Sequence, residues 1–361
     1  VTIAQPQPRR GAGLRRVASG PAVRLGLTIG VVVAVFAGVL PQIADYGLAW
    51  RLVRSLSGPE AVLVAVLGAV NLMSYAPLWM AAVPGLTWWR ALMADQASTA
   101  ISNTVPAGFA FGVGTTAAMY HSFGFTSAII TRAVALTGIW NNLVKSAMPA
   151  AALGGLVLVS DATAGLTVAA VLGSVVLFAA VAALLVTLTN RRAGAALAGT
   201  AERLATRIAL RRGRTGPSEW VERTDRFRTD SLELLRHRWL NLTAAAIASH
   251  AALFCLLLAC LRTVDGEGAD VHWIVVLAVF SVTRLVTIVP LTPGALGVAE
   301  LSYVAGLTAV GVASTGAAGA VLLFRLLTWF LPIPLGLGAW LLWRRGAGRV
   351  PSRPEQRRTL A

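Results

Sequence analysis

The sequence predicts an all-α, polytopic membrane protein made of two inverted repeats with re-entrant or broken helix pairs. Three observations carry that expectation. The 361 residues are 56% hydrophobic and only 13% charged, and several apolar runs reach the ~20 residues that a helix needs to cross a bilayer. The basic residues gather in blocks that flank those runs. Two further apolar segments, 87–121 and 273–313, are interrupted by proline, glycine and polar residues in a matching order.

The elements follow along the chain. Residues 1–21 carry Arg9, Arg10, Arg15 and Arg16 and read as a cytoplasmic basic tail. The apolar run 22–40 is expected to be a retained first span. A signal peptide is the other reading of such a start, but "VLPQIADYG" lacks an A-x-A cleavage pattern and many spans follow. The first membrane half, 22–189, adds spans at 60–83, 127–158 and 163–189 around the broken segment 87–121. Pro149 predicts a tilt or break in the long run 127–158.

Residues 190–238 hold twelve arginines and six acidic residues, with Leu197, Leu204, Ile208, then Trp220, Phe227 and Leu234 at near-heptad steps. This pattern predicts a cytoplasmic, basic, amphipathic helical hairpin lying on the membrane surface. The second membrane half, 239–345, has spans at 239–262 and 316–343 around the broken segment 273–313. Residues 346–361 read as a second cytoplasmic basic tail.

Charge then fixes topology. Both tails and the 190–238 loop are basic and belong on the cytoplasmic side, whereas "DGEGAD" (265–270) is acidic and belongs outside. Each half already contains an even number of full spans between inside ends. Each broken segment must therefore cross zero times or twice.

The halves also resemble each other. With residue 89 set against 273, Trp89/Trp273, Ala94/Ala278, Thr99/Thr283, Val105/Val289 and Pro106/Pro290 coincide without a gap. Both segments end in "VP" and a glycine-rich stretch, "VPAGFAFGVG" and "VPLTPGALG", and an arginine-bearing span follows each, at Arg132 and Arg325. Read as re-entrant hairpins, the two open to opposite sides, the inverted-repeat arrangement of transporters. Broken backbone at that depth is tolerated where protein buries it or a wet cavity meets it.

"NTVPAGFAFGVGTTAAMY", "GIWNNLVK" and "PLTPGALGVAE" together resemble the lysylphosphatidylglycerol synthase transmembrane-region family, the flippase-like membrane part of the multiple peptide resistance factor. The run "PGALGVAE" is similar to that family's P-G-G-L-G-x-x-E signature, with Ala295 where a second glycine is common. The resemblance spans roughly residues 20–345. It implies two inverted repeats and movement of lipids between leaflets, in a bacterial cell membrane. Lysyl transfer is not expected, because no stretch of the 361 residues reads as the soluble synthetase domain of fused members.

Charges at mid-helix cost about 2.5–3.5 kcal/mol on insertion scales and need a reason. Arg284 precedes the second break, and Arg325 lies roughly 13 Å into its span. Arg132 is its first-half counterpart. These three are expected to line a hydrated groove and bind a lipid phosphate, which the planar guanidinium contacts in bidentate fashion. Glu300 is expected to be their counter-charge, and Lys145 to snorkel outward. The breaks themselves, Pro106, Gly108, Gly112 and Gly114, and Pro290, Pro293, Gly294 and Gly297, are expected to present helix N-termini to a phosphate. Asn103, Asn141 and Asn142 are expected to give polar lining, and Asp95 and Gln96 a polar face.

Other classes of function find no support. No H-E-x-x-H, C-x-x-C, G-x-S-x-G or P-loop occurs, so neither an enzyme nor a cofactor or metal site is expected. His121, His237, His250 and His272 are scattered, and His250 is expected to be an interhelical hydrogen bonder. Cys255 and Cys260 do not share a helix face, so no mutual disulfide is expected. The net charge of +16 flanks membrane spans and does not point to nucleic acid. The expected partners are membrane lipids. The expected activity is flipping or scrambling of an anionic phospholipid or polyprenyl-phosphate-linked lipid. The alternative is a non-transporting subunit that docks a glycosyltransferase or lipid-modifying enzyme.

Overall fold

Helices make up nearly all of the described architecture, and no strand occurs among the described residues of the computed structural model. It describes residues 54–105, 108–156, 164–190, 220–264, 271–288 and 293–347, with Arg51 and single positions between 192 and 206. The chain divides into two units, Val1–Trp50 and Arg51–Ala361. The expected first span, 22–40, the tail 1–21 and residues 348–361 of the other tail lie outside the described residues.

The order is α1 (Gly58–Ser74), α2 (Ala76–Ala82), α3 (Trp88–Thr104), α4 (Gly108–Ser122), α5 (Ser127–Leu156), α6 (Ala164–Thr189), α7 (Trp220–Val264), α8 (Trp273–Val286), a 3₁₀ turn (Pro293–Ala295), α9 (Val298–Ala309), α10 (Ser314–Arg325), a π turn (Leu326–Phe330) and α11 (Pro332–Ala347). Among the described residues three helical stretches are long and apolar enough to cross a membrane: Gly58–Ala82, Thr224–Val264 and Ser314–Gly346. This is an all-α membrane protein. Glu60 caps the start of α1, accepting from the Ser57 amide at 2.8 Å and the Ser57 hydroxyl at 2.6 Å. Pro77 marks the joint between α1 and α2, since it supplies no amide to continue the ladder.

Each broken segment is a pair of short helices. α3 and α4 have 17 and 15 residues, α8 and α9 have 14 and 12. At 1.5 Å per residue these run from about 18 to about 26 Å, short of a ~30 Å hydrocarbon core when untilted. α3 ends because Val105 turns extended before the proline that follows it. α3 packs on α4 and α11, α5 on α6 and α8, and α7 on α1, α2, α5 and α10.

Pro149 does not break its helix, because α5 runs through it from Ser127 to Leu156. The expected boundary at 238/239 falls inside one helix, since α7 is continuous from Trp220 to Val264. Its charged portion also packs against protein. Ser231 is fully buried, Leu234 and Leu242 join a core cluster with Leu136 and Tyr120, and Arg238 Nη1 donates to Met80 O at 3.4 Å. The apolar stripe read as a membrane-facing one is in part a helix–helix contact. The remainder of the expected hairpin is mostly outside the described residues. A second cluster joins Leu256 and Leu257 of α7 to Phe280, Tyr303, Leu307 and Phe324.

Candidate functional site

Between α1, α3, α5, α8 and the second break lies a polar cavity of about 390 Å³. Its walls include Arg284, Arg325, Lys145 and Asp95, with Asn71, Tyr75, Asn103, Asn141, Gly294 and Trp329. The break places several of these. Gly294 has φ +57 and Gly297 φ +80, and Ala295 is left-handed as well at φ +56. A Cβ on Gly294 would collide with Trp329 Nε1 and Asn103 Oδ1, so only glycine lets the turn approach those side chains.

Arg325 holds this break in place. Its Nε meets Glu300 Oε1 at 2.5 Å, and its Nη2 donates to Gly294 O at 2.9 Å. Glu300 lies in the first turn of α9, where a carboxylate also complements the helix dipole. Immediately after Arg325 the helix widens. The Leu331 amide donates five residues back, to Leu326 O, at 2.8 Å, and π turns of this kind recur at functional sites. Pro332 and Pro334 withhold amide hydrogens just beyond it. Asn103 Nδ2 reaches in from α3 and donates to Trp329 O at 3.1 Å.

Arg284 is placed differently. It stands beside Tyr75, its Nε has no hydrogen-bond partner, and it forms no ion pair among the described residues. Lys145 also forms none and is 9% exposed. Further buried polar atoms without partners belong to residues of the same cavity wall: Asn71 Oδ1, Asn141 Oδ1 and Trp329 Nε1. Asp95, the carboxylate on the wall, accepts from Trp79 Nε1 at 3.1 Å and from Gln96 Nε2 at 3.4 Å. The cavity thus holds two cations with no carboxylate in contact among the described residues, beside buried donors and acceptors that no described protein group satisfies.

The structure brings together Arg284, Arg325, Glu300, Gly294, Asn103 and Asn141. It separates Arg132 from them. Arg132 lies in the second turn of α5, where its Nη1 donates to Asp230 O at 3.2 Å, and it lines a different cleft with Glu233, His237 and Arg238. Asn142 is exposed and does not line this cavity, because it is rotated about 100° around α5 from Asn141. Lys145 does not snorkel outward; it shares the Asn141 face, four residues on, and points into the cavity. His250 bonds within its own helix, Nδ1 to Ala246 O at 3.0 Å, and not to a neighbour.

The first break is a packing device where it is described. Cβ atoms on Gly108 or Gly112 would collide with Ser102 of α3, whereas one on Gly114 would meet nothing. Pro106 and Pro290 lie outside the described residues, and Pro293 opens the 3₁₀ turn. Lys145, Asn71, Tyr75, Asp95 and Trp329 are among the cavity residues that the sequence did not bring together. The spacing of Asn141 and Lys145, and the isolation of the chain's single lysine, were the available signals. Both cysteines are free, and among the described residues no group of histidine, cysteine and carboxylate side chains could hold a metal.

Residues 23–336 match the family described as the lysylphosphatidylglycerol synthase TM region. No curated protein matches the chain.

Proposed function

The chain belongs to the lysylphosphatidylglycerol synthase TM-region family, and from that premise we propose that it moves an anionic phospholipid or polyprenyl-phosphate-linked lipid between leaflets. One observation carries the reading: Arg284 and Lys145 face one cavity, and neither has a carboxylate partner among the described residues. Unpaired cations at membrane depth are costly, and a phosphate would offset that cost with charge-assisted hydrogen bonds.

In this reading Arg284 and Lys145 bind the phosphate, and Arg325 is a positioning residue. The guanidinium of Arg325 is already engaged by Glu300 and Gly294 O, so it holds the glycine break against Trp329. Asn141 and Trp329 complete the head-group contacts. The α3–α4 and α8–α9 pairs act as the broken helices of two inverted repeats, opening to opposite sides, with the basic flanks on the cytoplasmic face of a bacterial cell membrane.

Purified protein in liposomes with a trace of fluorescent phosphatidylglycerol tests this. Loss of the fluorescence to a membrane-impermeant quencher should exceed the outer-leaflet fraction in the wild type. It should fall back toward that fraction in Arg284→Gln. No excess over protein-free liposomes, together with stable co-purification of a glycosyltransferase or lipid-modifying enzyme, would instead favour a docking subunit.

A further inference from the structure

Beside the polar cavity lies a second, larger space of about 670 Å³ between α1, α3 and α11. Its walls are apolar throughout except for Gln96. The walls on α1 and α11 belong to two of the stretches apolar and long enough to cross a membrane. The two spaces share a partition. Leu72, Gln96 and Leu327 line the groove, and their chain neighbours Asn71, Asp95 and Thr328 line the cavity.

Gln96 forms part of that partition. It is buried, and its Nε2 donates to Leu72 O at 3.1 Å and to Asp95 Oδ2 at 3.4 Å, joining α3 to α1. Its Oε1 has no partner. The polar cavity and the apolar groove therefore lie on opposite sides of residues 71–72, 95–96 and 327–328.

We propose that this groove holds one acyl chain of the lipid whose phosphate occupies the cavity, a role that rests on the phosphate reading above. The adjacency gives the ligand's chemistry: a phosphate head with a hydrocarbon tail leaving sideways between α1 and α11. A free phosphate ester has nothing to place there. A groove of this volume is in the range of small-ligand sites. Since tails and surrounding lipid are equally apolar, the groove selects by shape and by tethering to the head group, not by a hydrophobic driving force.

Gly338 of α11 lines the groove, and a Cβ there would meet nothing within 4 Å. Gly338→Phe should fill the groove without disturbing a helix contact. Gly154→Phe serves as the control, since Gly154 is exposed on α5 and its Cβ likewise meets nothing. The probe is phosphatidylglycerol bearing a photoactivatable diazirine in one acyl chain, at low mole fraction in phosphatidylcholine nanodiscs. Cross-linked residues are mapped by mass spectrometry.

In the wild type, cross-links should be enriched at groove residues such as Met73 and Trp89 over the lipid-facing side of α6. Gly338→Phe should reduce them about tenfold, the equivalent of about 1.4 kcal/mol, and Gly154→Phe should not. Uniform labelling of all lipid-facing helices in the wild type would overturn the proposal whether or not any variant folds. So would unchanged groove labelling in a folded Gly338→Phe protein. If Arg284→Gln alone loses phosphatidylglycerol transport while groove labelling is never enriched, the groove proposal fails and the phosphate reading stands. If Arg284→Gln transports normally, the phosphate reading fails first.

Discussion

Arg325 Nε meets Glu300 Oε1 at 2.5 Å, twenty-five residues away in the chain, and ties the first turn of α9 to the end of α10. The pair is not fully buried, with side chains 14% and 21% exposed. Removing one partner leaves a charge stranded at membrane depth. Glu300→Gln or Arg325→Met alone should cost about 2–3 kcal/mol, below the range for fully enclosed pairs, and the double variant should recover most of it. Thermal unfolding of the four proteins in detergent, analysed as a double-mutant cycle, checks this. Additive losses would mean that the contact contributes nothing.

Arg284 should behave in the opposite way. It has no ion pair to lose among the described residues, so Arg284→Gln should leave the melting temperature unchanged or raise it. Lipid affinity should fall by about 2 kcal/mol, roughly thirtyfold, the scale of hydrogen bonds to a charged group. Arg284→Lys should recover part of the affinity, since it restores charge but not the planar fork. Native mass spectrometry with phosphatidylglycerol provides the readout.

Lys145 predicts a trade between stability and binding. It is buried and faces the same cavity as Arg284, where like charges repel. Lys145→Met keeps most of the side-chain volume and should stabilise the protein by about 1 kcal/mol while weakening anionic-lipid binding. Melting temperature and lipid retention, measured on one preparation, should move in opposite directions.

The two left-handed glycines of the break should differ. Gly297→Ala introduces only backbone strain, because its Cβ would meet nothing. The expected loss is about 1–2 kcal/mol. Gly294→Ala adds a collision with Trp329 and Asn103 to that strain and should cost about 3 kcal/mol or more. Equal melting temperatures for the two variants would contradict this account of the break.

Much of this was legible from residue order. Long apolar runs and basic flanks give the membrane class. The recurrence of "VP" before a glycine-rich stretch gives two helix pairs, and a carboxylate and an arginine on either side of a break give Glu300 and Arg325. Facing was harder to read. In helices apolar on every side the hydrophobic pattern has no phase, so nothing told Lys145 to turn inward or Asn142 outward. Arg132 and Arg325 match in sequence, yet one lines a cleft beside Asp230 and Glu233 and the other the polar cavity. The joint at 238/239 was inferred from a change in composition, but backbone hydrogen bonds carry α7 across such a change without interruption.

That continuity gives α7 a mechanical character. Its 45 residues span about 68 Å, against ~40–45 Å for a bilayer with its head groups. One end is gripped by Arg132 at Asp230, and Leu253, farther along, forms part of the cavity wall. The helix is a shaft with no joint: a rotation of its charged end would be carried to the cavity wall as a rotation, since no break in between absorbs it.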